Sequence, residues 1–284
     1  MTLPASGAIS FNAINVELGV SGTTQASLGQ ASYRTLAGVA SGAISMSNFY
    51  GKANQFSFTI SSNQTNANLR TLAVNAGWNQ SSKVVATING GVFCSSNSTG
   101  TPGLTINGSF PGGVELINNG TIAGMGGAGN TNAGSAGGLA LSVSTAVTIN
   151  NAGTIGGGGG GGGGGRSWIG TATYFPNNPR GNGGRGGGGR TGTTNSAGGN
   201  QGTSAGAGAG AAGTFGAAQY GSDAQQGGSG GSGGNYGASG STGGTGYGSN
   251  VVSGPFGGGA AGGAITGNSN ITYIATGTRL GSIS

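Results

Sequence analysis

The sequence predicts a mostly β and irregular fold. A small helical N-terminal module leads into a β-rich middle, and then into a bundle of polyproline-II-type helices with variable loops. Three observations carry this expectation. Glycine supplies 73 of 284 residues, about a quarter of the chain where roughly 7% is usual. Glycines hold a strict period of three over residues 183–192 and again over 228–246, and three residues per turn is the polyproline-II period. Between residues 55 and 110, β-branched runs alternate with Asn-Gly and Gly-Gly turn signals.

Residues 1–54 are the least glycine-rich and are expected to form a separate module. Ser10 is placed to cap a short helix over 11–18 that ends at Gly19, and Ser27 to cap a second over 28–37 that ends at Gly38. A further short element over 44–50 precedes Gly51. Residues 55–155 read as a β-rich, solenoid-like domain. Phe56-Ser57-Phe58-Thr59-Ile60 alternates apolar and polar, as a half-buried strand does. Residues 84–88, Val92-Phe93 and 104–106 continue the pattern, with a helix over 69–76 between them. Trp78 and Phe93 are expected in its core and Cys94 as a small buried residue. The stretch Ile117-Asn118-Asn119-Gly120-Thr121-Ile122 returns about 32 residues later as Ile149-Asn150-Asn151-Ala152-Gly153-Thr154-Ile155. A repeat in which a strand feeds a glycine run suggests stacked layers.

Residues 156–262 open with ten consecutive glycines. A polyproline-II strand makes no internal hydrogen bonds, so buried strands must bond to their neighbours. Glycine permits the close backbone approach this needs. Collagen shares the period but requires proline, and none occurs between Pro179 and Pro255. Residues 263–284, with the stretches Asn270-Ile271-Thr272-Tyr273-Ile274 and Thr278-Arg279-Leu280-Gly281, are expected to close the chain as a strand.

The charge pattern excludes several function classes. Charged residues make up 4% of the chain and histidine is absent. The acids are Glu17, Glu115 and Asp223, far apart in sequence. An enzyme is not expected, because no histidine base or paired carboxylate is available. Neither a cofactor nor a metal is expected, with Cys94 the single cysteine. The net charge of +6 comes from scattered bases. The Arg185–Arg190 stretch has too few basic neighbours for phosphate binding, so no nucleic-acid partner is expected. No apolar run approaches the ~20 residues of a membrane span, and residues 1–6 show no signal-peptide pattern.

The interruptions between glycine runs are the candidate binding loops. Arg166, Trp168, Tyr174, Phe175 and Arg180 crowd one of them, Phe215 and Tyr220 a second, and Phe256 a third, while Arg190 follows the first. Loops on a rigid scaffold concentrate binding function, and Tyr, Trp and Arg dominate binding hot spots. The same aromatic residues have a plainer role open to them, as anchors packed on their own scaffold.

The stretch Thr148-Ile149-Asn150-Asn151-Ala152-Gly153-Thr154-Ile155-Gly156, running into polyglycine, resembles the tail-fibre adhesins of T-even-like bacteriophages. The resemblance covers roughly residues 104–284. It implies a sandwich of polyglycine-II helices whose distal loops bind a bacterial outer-membrane protein or lipopolysaccharide, without catalysis. Residues 1–54, with the stretch 41–52, depart from the attachment part of those adhesins and are similar instead to N-terminal modules of tail proteins of other phages, which implies that they attach the chain to a phage fibre or tail-tip protein. Such a chain is made in the host cytoplasm and ends at the fibre tip of the virion. Two alternatives stay open: a purely structural glycine-rich spacer, and an ice-binding polyproline-II protein.

Overall fold

The structure is a computed structural model that describes residues 3–169, 180–181, 189–192, 197–198, 201–203, 205–213, 215–216, 225–248 and 250–284. Helix α1 (Phe11–Glu17) starts as expected at Ser10, whose hydroxyl accepts the Ala13 N–H at 3.1 Å. It ends before Gly19, at φ +79°. Helix α2 (Ala31–Ala37) ends at Gly38 in the left-handed conformation. Its start differs from the expected one. Ser27 closes a turn, its carbonyl accepting the Gln30 N–H at 3.0 Å and its hydroxyl the Gly29 N–H at 3.4 Å. Residues 28–30 therefore stay outside the helix, and Gln30 is the N-cap. A 3-10 turn at Met46–Phe49 completes the module. Leu3, Ile14, Tyr33, Leu36 and Phe49 form its own apolar cluster, with the Tyr33 hydroxyl donating to Asn15 Oδ1.

From residue 55 the chain winds as a coil of short strands. The first turn holds β1 (Gln55–Ile60), β2 (Gln64–Thr65) and β3 (Ala67–Asn68), followed by helix α3 (Leu69–Asn75). The second holds β4 (Lys83–Ile88), β5 (Phe93–Ser95) and β6 (Leu104–Ile106). The third holds β7 (Val114–Asn118), β8 (Thr121–Ala123) and β9 (Leu141–Val143). The fourth begins with β10 (Val147–Asn151) and β11 (Thr154–Gly156). There the chain leaves on a long excursion that carries β12 (Ser167–Ile169), β13 (Arg180–Gly181), β14 (Phe215–Gly216), β15 (Gln225–Gln226) and β16 (Asn250–Ser253). It returns at β17 (Ile265–Thr266) to finish the fourth turn, and β18 (Ile271–Ala275) and β19 (Thr278–Leu280) form the last.

Three parallel sheets result: β1-β4-β7-β10-β18, β2-β5-β8-β11-β19, and β3-β6-β9-β17. Like residues stack turn upon turn. Ala86 lies on Leu116 and Ile149, Cys94 on Ile122 and Ile155, and Leu104 on Leu141 and Ile265. All of these are buried. Burial pushes the Cys94 thiol up to about 12. Trp78 is in this core, stacked on Phe110 at 5.2 Å. Phe93 is only half-buried, because alternation along β5 turns Cys94 inward in its place.

The internal repeat is real, but its register is 33 residues. β10 lies on β7 with Asn151 opposite Asn118, and Thr154 lies opposite Thr121. Aligning the two Ile-Asn-Asn strings misses this by one residue. The register is set instead by a buried asparagine ladder. Asn118 Nδ2 donates to Asn151 Oδ1 at 2.7 Å, and Asn151 Nδ2 donates to the Thr276 carbonyl at 2.7 Å. Buried amides left unpaired would be costly, so each holds its layer in place.

Both glycine excursions leave from one corner of the coil, between the second and third sheets. In the first two turns this corner takes residue 66 and residues 96–103; in the third and fourth it takes 124–140 and 157–264. Residues 157–165 lie at the centre of the glycine region. Their N–H groups donate to residues 132–138 (Gly158, Gly161 and Gly164) and to 238–244 (Gly160, Gly163 and Arg166). Their carbonyls accept from 124–130, 228–237 and 256–262. Each neighbour engages every third residue, in parallel for 124–130 and 238–244 and antiparallel for the others. The space around the glycines repeats the same cycle. A Cβ at Gly157, Gly160 or Gly163 would meet residues 256–263; at Gly158, Gly161 or Gly164, residues 125–131; at Gly159, Gly162 or Gly165, residues 228–234. In all nine the nearest atom is a backbone carbonyl oxygen at 1.8–2.0 Å. No side chain fits at any of these positions. Of the other period-three run, only 189–192 falls among the described residues.

Candidate functional site

The described glycine segments run back and forth between the coil and a far end, where the strands at the bases of the expected loops meet. Strand β12 pairs antiparallel with β13, Ile169 opposite Arg180, and with β16, Trp168 opposite Val251. β14 pairs with β15, Phe215 opposite Gln226. Gln226 then exchanges backbone hydrogen bonds with Tyr247 at 2.9 and 3.0 Å. The bases of all three loops are thus stitched together, and the 131–132 turn joins them where Asn132 accepts the Gly164 N–H at 2.8 Å.

Arg166 ties this assembly at its root. Its N–H donates to Gly244, its carbonyl accepts from Gly228, and its Nε donates to the Gly254 carbonyl at 3.1 Å. Phe256 is half-buried, its N–H donating to Gly164 and its carbonyl accepting from Gly243. Trp168, Arg180 and Phe215 are brought to the tip by their strands. Tyr174, Phe175 and Tyr220 lie outside the described residues.

Arg190 sits at the opposite end, next to the coil. Its guanidinium lies 4.4 Å over the ring of Tyr236, whose hydroxyl donates to the Thr191 carbonyl at 2.6 Å. Burial raises the Tyr236 pKa, opposed by the charge and hydrogen bond of Arg190. Tyr236 also packs on Gly156, where a Cβ would meet its ring at 3.0 Å. This group is the joint between coil and glycine segments.

Among the described residues of the tip, the most exposed apolar side chains are ones that sequence reasoning did not single out: Tyr247, Val251 and Val252 are 49%, 52% and 55% exposed. It weighted Phe256 in that loop because aromatics mark hot spots. The usable signal was an aliphatic pair standing in a polar, glycine-rich stretch. Two further exposed apolar groups lie elsewhere: Phe11, Val16, Val20 and Tyr50 on the N-terminal module, and Ile274, Leu280 and Ile283 on the last turn of the coil. Among the described residues, no three His, Cys, Asp or Glu side chains cluster, and no helix is long and apolar enough to cross a membrane.

Residues 55–284 match the family model of the phage tail fibre adhesin Gp38. The chain also resembles a solved structure, the gp37-gp38 adhesin tip complex of the bacteriophage S16 long tail fiber, at 24% identity and a TM-score of 0.55. That match covers 99% of this chain and 100% of the other. No curated protein matches the chain.

Proposed function

Because the chain belongs to the phage tail fibre adhesin Gp38 family, we propose that it is the receptor-binding tip of a virion fibre, holding loops against a bacterial outer-membrane protein or lipopolysaccharide. Binding is non-catalytic and gains avidity from several fibres per virion. The observation that carries this reading is the convergence of three loop bases, bearing Arg166, Trp168, Arg180, Phe215 and Phe256, at one end of the glycine segments. Tyr174, Phe175 and Tyr220 belong to the same loops in sequence.

We assign the glycine region, 156–262, to a polyglycine-II bundle. The cycle of three in both hydrogen bonding and Cβ direction supports this, since a three-residue turn without internal hydrogen bonds presents successive residues to successive neighbours. Residues 55–155 and 263–284 then act together as a β-coil base. Residues 1–54, which have their own apolar cluster and lie outside the family match, attach the chain to the fibre. The S16 structure supports a fibre partner, since it is a complex of two fibre proteins.

The test is binding of purified, labelled protein to a panel of Gram-negative strains. Saturable binding to a subset of strains is expected. Binding to none of a broad panel, by a folded protein, would favour a structural spacer instead.

A further inference from the structure

We propose that Asn89-Gly90, at a corner of the coil, is a site of spontaneous deamidation, and that the asparagine ladder shields the equivalent corner, Asn119-Gly120, on the next turn. The inference concerns the coil itself and stands apart from the host-attachment reading.

An asparagine followed by glycine can close a ring on its own backbone. The glycine nitrogen gives up its proton and attacks the asparagine Cγ. A C–N bond forms, and the carboxamide nitrogen leaves as ammonia. Water then opens the succinimide at one carbonyl or the other. The product is aspartate, or isoaspartate, in which the main chain runs through Cβ. Water is the only co-reactant. In a folded chain the reaction is gated by the freedom of the glycine N–H and by local opening of the corner. Glycine favours both, having no Cβ to block the nitrogen or restrain the backbone.

Asn-Gly pairs occur at Asn89, Asn107, Asn119 and Asn182. The last lies outside the described residues. Asn89 and Asn119 occupy equivalent corners, because β4 lies on β7 with Ile88 opposite Asn118. That difference of one residue separates their chemistry. On the third turn the Asn118 carboxamide oxygen accepts the Gly120 N–H at 3.2 Å. Gly120 is also buried, and a Cβ there would lie 2.4 Å from the Val92 carbonyl oxygen and 2.7 Å from that of Asn89. On the second turn Ile88 offers no acceptor. The Gly90 N–H has no hydrogen-bond partner among the described residues, and Asn89, Gly90 and Gly91 are all exposed. Two successive glycines make this the easier corner to open. Asn107-Gly108 stands between the two. It is exposed, but Asn107 Oδ1 accepts from Asn68 Nδ2 at 2.7 Å, and Arg70 covers Gly108, where a Cβ would meet its Cδ at 2.9 Å.

The change alters both charge and backbone. The new carboxylate subtracts one from the net charge of +6. Isoaspartate lengthens the main chain between β4 and β5. It disturbs the bond from the Asn89 N–H to Ile60 that joins the first two turns, and the bond from the Val92 N–H to Asn89 that closes the corner.

The test incubates the full chain in mildly alkaline buffer and follows each Asn-Gly peptide by mass spectrometry, with isoaspartate read by enzymatic methylation. The same incubation in urea gives each pair its unfolded rate. Scaled to those rates, Asn89 should convert about tenfold faster than Asn119 in the native protein, with Asn107 between them. Asn89→Gln should remove the first acidic species from ion exchange. Asn118→Leu, which deletes the acceptor of Gly120, should bring Asn119 up toward the Asn89 rate. An Asn89 that converts in urea but not in the native protein overturns the site. Equal native rates at Asn89 and Asn119 overturn the shielding, as does an unreactive Asn119 in an Asn118→Leu variant that keeps the wild-type unfolding temperature.

Discussion

Replacing Gly162 with alanine tests the glycine packing in its most sensitive form. A Cβ at Gly162 would lie 1.9 Å from the Gly231 carbonyl oxygen, 2.6 Å from its carbon and 2.9 Å from the Ser232 oxygen. Ordinary contact begins at 3.4 Å, so residues 231–232 must retreat by about 1.5 Å. That movement breaks the 2.8 Å hydrogen bond from Gly231 to Gly163 and strains its neighbours from Gly228 to Arg166 and from Gly234 to Gly160. Overpacking costs about 1–3 kcal/mol, and each lost backbone bond about 1 kcal/mol. The sum, about 2–4 kcal/mol, lowers the unfolding temperature by roughly 10 °C for a chain of this size. Gly257→Ala is the matched control. Nothing lies within 4 Å of a Cβ there and φ is not positive, so alanine should stabilise by about 0.4–1 kcal/mol through the unfolded state. Thermal unfolding followed by circular dichroism compares the two. Equal unfolding temperatures for Gly162→Ala and Gly257→Ala would refute the packing argument, because one substitution meets backbone and the other meets space.

Four further outcomes are expected. Asn151→Ala removes the 2.7 Å acceptor of the buried Asn118 amide, leaving it only the Thr154 carbonyl at 3.4 Å, and should cost about 1–3 kcal/mol in denaturant unfolding. Arg190→Ala removes the cation from the Tyr236 ring and should cost about 0.5–2 kcal/mol while leaving cell binding unchanged, as measured by melting and strain-panel assays side by side. Ser10→Ala removes the α1 cap and should cost about 1 kcal/mol, read from the N-terminal module by hydrogen exchange. The Cys94 thiol titrates near 12 when folded and near 8.5 when unfolded. The unfolded state therefore binds fewer protons between those values, and stability should fall as pH rises above about 8.5. Native protein should meanwhile resist thiol reagents at pH 8.

Much of the fold was legible because its signals are local. Ser10, Gly19 and Gly38 mark helix ends by backbone chemistry that operates within a few residues, and β1 and β4 show the alternation of half-buried strands. Ser27 misled because a hydroxyl can close a turn as well as cap a helix, and Gly29 inside the span favours the turn. The closure of the coil was not legible. Ile271–Ala275 pairs with Val147–Asn151 across the whole glycine excursion, and no local pattern records a partner so distant in sequence. The single expected closing strand is accordingly two strands on two faces of the coil. At the tip, composition could not reveal the bulge that exposes Val252. Nor could it separate Arg166, at the root of the loops, from Arg190 at the opposite end. Both follow a glycine run and read alike in sequence.

The most direct measurement is cell binding by the wild type and by a variant whose residues 170–179 are replaced with a Gly-Ser linker, which keeps Arg166, β12 and β13, on the same responsive strain and at matched thermal stability. If the glycine bundle exists to hold these loops against the host, the variant stays folded and loses binding. If the folded variant binds as tightly as the wild type, the loop that opens the tip is not what meets the host surface.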